Sequence, residues 1–215
     1  GGVPTAVATD NDWSLFRAYT SLSLAQAGTE NVGIDADLVD FDTLGKDLTS
    51  TNEVWNIVCY GDAADTTAVT IDGWTTDADN YIRVYTPVSK QEVGISQRHR
   101  GKCDSGRYNL LVSNNNVLTV SDNYVRIDGL QLGKSSSSAE DQAVIYLWPV
   151  DAGNDFRVSN SVIKQAGNVS YNEPGIVVQD SDAIVKIWST AVYGLGAKAN
   201  SGNSGIYTSA VSTLD

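Results

Sequence analysis

A beat of about thirty residues runs through this chain, and it restricts the possible folds more than anything else in the sequence. With Ile127, Val158, Ile187 and Leu214 set in register, apolar strand segments recur at steps of 31, 29 and 27 residues. The segment VTIDGW at Val69 to Trp74 returns as VRIDGL at Val125 to Leu130, and FRVSNSVI from Phe156 and VKIWSTAV from Val185 follow it. A second set keeps the same time: LLV at Leu110, VIYL at Val144, GIVVQ at Gly175 and GIYTS at Gly205. Two columns advancing together imply stacked coils, because a solenoid buries a continuous core only if equivalent residues recur.

The repeated segments are short and rich in Val, Ile, Thr and Tyr. The links between them are polar and too short for crossover helices. The class that fits is all-β, a right-handed parallel β-helix with a short amino-terminal capping segment. Within each strand the apolar positions alternate, so Val125 and Ile127 are expected to face inward and Arg126 and Asp128 outward. Ser113-Asn114-Asn115-Asn116 and Ser159-Asn160-Ser161 suit the tight bends between sheets, since Asn tolerates the left-handed region. Helical signals are confined to the start, where Thr20 or Ser21 caps a turn through Leu22, Leu24, Ala25 and Ala27 that Gly28 ends. Residues 1–53 therefore read as an amino-terminal arm and cap, and residues 54–215 as coils. The four serines 135–138 read as an excursion from the stack.

The chain resembles the right-handed parallel β-helix repeat proteins related in fold to pectate lyases and phage tailspikes. The residues that carry this are YTSLSLAQAG, then WNIVCYGDAADTTAVTIDGWTTDADNYIRVYTP, then VLTVSDNYVRIDGLQL, from about Tyr19 to Leu132. The resemblance implies that Asp12 to Gly28 cap the first coil and that the protein works outside the cell or on a virion surface. It does not choose among lyases, hydrolases, adhesins and capsid or tail components. The closing SAVSTLD falls where an inward-facing strand begins. The expectation is that further chain or a neighbouring subunit covers this end.

Charge narrows the partners. Fourteen Lys and Arg against 26 Asp and Glu give a net charge of -12, which leaves no extended basic surface for nucleic acid. No apolar run approaches the roughly 18 residues of a membrane-spanning helix. Cys59 and Cys103 lack the paired spacing of a zinc site and are expected as a buried thiol and an exposed one. With His99 as the single histidine, no nucleophile–base constellation is legible, and no catalytic residue is assigned.

The candidate binding residues are Arg126, Arg157, Lys186 and Trp188. The register places the three cations on successive coils, about 4.8 Å per step, with Trp188 on the same outward face. Such a ladder suits an acidic sugar or a partner carboxylate. Alternatively, Asp128 and Asp155 neutralise it and Trp188 packs under a loop. The lyase resemblance implies an Asp cluster holding calcium beside an Arg or Lys base. Asp151, Asp155, Asp180 and Asp182, with Arg157 or Lys186, are candidates without diagnostic spacing. Asp180 and Asp182 also offer a carboxylate pair of the kind a glycosidase needs. Asp35, Asp37, Asp40 and Asp42 lack the EF-hand pattern and read as a charged face. The basic cluster QRHRGK, Gln97 to Lys102, reads as a polar protrusion, or as a patch that docks on an acidic face of a neighbouring copy. Asn168-Val169-Ser170 matches a glycosylation acceptor. The function expected is a non-enzymatic structural, decoration or glycan-binding β-helix, partnered by copies of itself, other assembly proteins or surface polysaccharide. No cofactor is expected beyond possible calcium; the alternative is a lyase or glycosidase on acidic polysaccharide.

Overall fold

The structure, a computed structural model, describes residues 16–38, 46–61, 63–89, 91, 95–136, 142–148, 155–165, 173–179, 184–194, 204–208 and 213–214. Three all-parallel sheets form a β-solenoid of about four turns. The first sheet stacks β1 (Trp55–Val58), β3 (Ile82–Tyr85), β6 (Val125–Asp128), β9 (Asp155–Ser159), β12 (Ile184–Trp188) and β15 (Thr213–Leu214). The second stacks β4 (Asn109–Ser113), β7 (Gln131–Ser136), β10 (Val162–Lys164) and β13 (Ala191–Tyr193). The third stacks β2 (Val69–Ile71), β5 (Leu118–Val120), β8 (Ile145–Leu147), β11 (Ile176–Val178) and β14 (Ile206–Thr208). From β2 onward the chain visits the third, first and second sheets in strict rotation, as a coil must.

The strands exist because alternate side chains have a common interior to fill. Ile82, Val125, Phe156 and Val185 form one inward column, and Val84, Ile127, Val158 and Ile187 another. The second sheet contributes Leu110, Leu132, Ile163 and Val192, and the third Val69, Leu118, Ile145, Ile176 and Ile206. Each buried side chain removes apolar area from water at about 25 cal/mol per Å², so the stack holds through repetition.

The register corrects three details of the sequence reading. VTIDGW and VRIDGL are alike but lie in different sheets, third and first. Leu110 belongs to the second sheet; the strand that precedes Ile145 in the third is Leu118–Val120. Leu214 pairs with Val185, two residues before Ile187. The first two errors arise because inward alternation looks the same whichever sheet a strand joins, and the third because a slip of two residues leaves the inward face unchanged. The serine run is also corrected, because Ser135 and Ser136 continue β7, while residues 137–141 lie outside the described set.

Each bend from the first sheet to the second is made by one residue at positive φ: Gly129 (79°), Asn160 (48°) and Ser189 (50°). Asn114, after β4, has φ 55°, as its expected role as a corner requires. In the coil that leaves β3 the corner is replaced by an excursion running from Pro87 to Arg107, which stretches the step from Ile82 to Val125 to 43 residues. The helical turn expected near the start is present. Helix α1 (Leu22–Ala27) is N-capped by Ser21, whose Oγ accepts from Leu24 N at 3.1 Å, and it ends at left-handed Gly28. It is pinned to the first coil by Leu22 N donating to Asp65 Oδ2 (2.8 Å) and by Trp74 Nε1 donating to Gln26 Oε1 (3.0 Å).

Asp122 makes a pH-dependent tie within the stack. Its Oδ1 accepts from Gly73 N and Trp74 N at 2.8 and 3.1 Å, and burial pushes its carboxyl up to about 6. A carboxyl raised above its unfolded value near 3.9 gives stability that is full below that value and lost as pH rises through 6. Asp122→Asn keeps the acceptor and removes the charge. Thermal melts should show the variant about 1 kcal/mol more stable than the parent at neutral pH, a figure reduced for partial solvent screening, and no more stable near pH 4. Equal gains at both pH values would contradict this reading.

Candidate functional site

The outward row of the first sheet reads Asn56, Arg83, Arg126, Arg157 and Lys186, one residue per coil. The structure thus brings together the three cations expected from the sequence and adds Arg83, which the 43-residue step had hidden. A shallow groove of about 280 Å³ runs along this row, lined by Arg83, Arg126 and Arg157, by Asp128, Ser159 and Asn160 at the corner, and by Trp188. Lys186 lies one coil past Arg157, at the end of the row. Trp188 is 46% exposed, and its ring lines the groove.

The cations are held in different ways. Arg157 grips Asp155, two residues earlier on the same strand face, with Nε to Oδ1 at 2.7 Å and Nη2 to Oδ2 at 2.6 Å. This bidentate bond holds the Asp155 carboxyl below the usual carboxylate range and raises Arg157. Arg83 lies over the Tyr85 ring (4.1 Å) and reaches Asp128 Oδ2 at 3.3 Å. Arg126 sits over the Tyr81 ring and donates to Ala78 O (3.3 Å); its partial burial lowers its affinity for its proton. Among the described residues neither Arg126 nor Lys186 forms an ion pair with a carboxylate.

The corner side of the groove centres on Asp128. Its Oδ1 accepts from Ser159 Oγ (2.9 Å) and Asn160 Nδ2 (2.8 Å), and its Oδ2 from Arg98 Nη2 (2.6 Å) as well as Arg83. Burial alone would raise this carboxyl, but the Asn160, Arg98 and Ser159 bonds hold it low. Arg98 belongs to the segment expected to protrude. It lies instead as a strap along the corners of successive coils. Gln97 Oε1 accepts from Gly61 N (3.1 Å), His99 Nε2 meets Asn160 O (2.7 Å), Asp104 N donates to Gln131 Oε1 (2.6 Å), and Cys103 Sγ meets Tyr193 Oη (2.8 Å). Gly101 N donates to His99 Nδ1, so Nε2 carries the ring proton and donates to Asn160 O. Both ring nitrogens are thereby occupied. Burial lowers the ring's proton affinity further, and His99 is a strap anchor with no lone pair facing the groove.

The other candidates are not brought together among the described residues. Asp155 is engaged by Arg157, and Asp151, Asp180 and Asp182 lie outside the described residues. Asp35 Oδ1 caps Asp37 N in an exposed turn, with Asp40 and Asp42 outside the described set. Among the described residues no three His, Cys, Asp or Glu side chains converge on a point that could hold a metal. Asn168-Val169-Ser170 also lies outside them. Cys59 is buried and Cys103 exposed, both as free thiols, and burial pushes the Cys59 thiol up to about 12. No helix among the described residues is long and apolar enough to cross a membrane.

No known family, curated protein or solved structure matches the chain. The functional reading rests on the row itself.

Proposed function

We propose that this protein is a non-enzymatic β-helix displayed outside the cell, on a virion or in an extracellular assembly, and that its six-stranded face binds an acidic glycan. The observation that carries the reading is the row Arg83, Arg126, Arg157 and Lys186, stacked in register beside an exposed Trp188 on a chain whose net charge is -12. Like charges repeated every 4.8 Å or so repel one another, and an anionic chain lying along the coil axis relieves that repulsion. An exposed indole beside them gives a sugar ring a flat apolar face. A stiff stack of this kind would present the row to other copies or assembly proteins.

Affinity electrophoresis through gels containing polygalacturonate, hyaluronan or neutral dextran tests it. Retardation is expected in at least one acidic gel and not in dextran, weaker at high salt and lost in Arg126→Glu. Equal mobility in all three gels would end the reading. Appearance of unsaturated uronate ends, with or without added calcium, would replace it with a lyase.

A further inference from the structure

We infer that the acidic glycan carries one anionic group on every second sugar, not on each. This rests on the binding reading above and follows from which cations of the row are already engaged. Arg157 is held through both Nε and Nη2 by Asp155, at 2.7 and 2.6 Å, so its guanidinium edge is turned to its own strand. The coils on either side carry Arg126 and Lys186, neither of which meets a carboxylate among the described residues. Arg83, farther along, is drawn towards Asp128, which it shares with Arg98.

Among the described residues the row from Arg126 to Lys186 therefore offers a cation with no carboxylate bound, one gripped by a carboxylate, and another with none, and only the first and third are counted as available to an anion. The two available charges stand two coils apart, about 9.6 Å for a regular stack. One pyranose unit of an extended chain advances by roughly one coil rise, so two coils match a disaccharide. A polymer charged on every sugar would set a carboxylate against the Arg157–Asp155 pair, where Asp155 repels it. A polymer charged on alternate sugars sets a neutral ring there. Trp188 shares β12 with Lys186, two residues on and on the same face, and places its ring beside one of the two charges.

The test compares full-length protein binding to size-matched hyaluronan, with one carboxylate per disaccharide, and polygalacturonate, with one per sugar, at one ionic strength. Charge density alone favours polygalacturonate, so a preference for hyaluronan cannot come from non-specific attraction. The parent is expected to prefer hyaluronan, and Lys186→Ala to weaken that binding about tenfold, the scale of one charge-assisted bond. Asp155→Asn frees Arg157 and puts available cations on three consecutive coils. It should gain about tenfold for polygalacturonate and erase the preference. Both positions lie on the solvent side of their strands, and circular dichroism and a thermal melt check each variant's fold. A parent that prefers polygalacturonate, or an unchanged ratio in Asp155→Asn, overturns the spacing while leaving the binding reading intact. Binding to neither polymer overturns the reading and the spacing together.

Discussion

Ile127→Asp is expected to abolish folding, while Ala at the neighbouring Arg126 leaves the melting temperature nearly unchanged. Ile127 is 2% exposed and stacks between Val84 and Val158 on the adjoining coils. Aspartate there forfeits the apolar burial and places a carboxylate where no donor awaits it. The combined cost is several kcal/mol against a net stability of about 5–15 kcal/mol for a domain. In a solenoid the damage also spreads, because each coil is supported only by its neighbours. Arg126, one residue earlier, points outward, and its loss removes a ring contact and one hydrogen bond to Ala78 O. The pair tests the register, since a shift of one residue exchanges their roles. Ile187→Asp should be milder, because Ile187 is only partly buried near the far end of the same column. Circular dichroism and a thermal melt of the three variants decide it. A cooperative, parent-like melt of Ile127→Asp would reject the register described above.

The repeat was legible because the core must recur. Val125, Phe156 and Val185 fill equivalent sites, and nothing but stacking requires them to keep time. Which sheet a strand joins was not legible, because a strand of three or four residues has the same alternation in all three. This is why the reading put Leu110 in the column that Leu118 fills. The cap was written locally, in Ser21 and Gly28, whose hydrogen bonds close within one turn. The strap was not: Arg98, His99 and Cys103 meet partners 30, 61 and 90 residues away, and a polar segment without periodicity gives no hint of such distances. The same excursion concealed Arg83, since a 43-residue step falls off the beat. In the candidate site, the alternation that faces Arg157 outward also faces Asp155 outward, so their pairing was open to inference. The sharing of Asp128 between Arg83 and Arg98 was not, because it depends on where the strap returns.

Gly61→Ala should be severely damaging although it lies outside the apolar core, at about 3 kcal/mol or more. A Cβ at Gly61 would lie 2.7 Å from Arg107 Cα and closer still to Arg107 C and Tyr108 N, all of them backbone atoms that no rotamer change can move aside. The close approach is structural. Gly61 N donates to Gln97 Oε1 at the start of the strap, while Arg107 and Tyr108 lead the chain back into β4. The start of the strap and the return of the chain to β4 therefore converge on one glycine of the first coil. Tyr108 beside it is buried against the core that contains Cys59 and Leu110. Forcing these backbones apart disturbs the rung formed by Asp65 and Leu110 and, through Asp65, the anchor of the cap at Leu22. Gly106→Ala is the control, because its Cβ would meet only Asp104 Oδ1 at 3.4 Å, an ordinary contact. If the strap is built into the stack, Gly61→Ala lowers the melting temperature by many degrees and exposes the part-buried Arg98–His99 bond to trypsin under native conditions, and Gly106→Ala does neither. If instead Gly61→Ala melts within a degree or two of the parent and keeps the Arg98–His99 bond as resistant to trypsin as the parent does, the excursion cannot be seated where Gln97 and Tyr108 place it. The hold that Arg98 and His99 keep on Asp128 and Asn160, at the corner of the groove, would then fall with it.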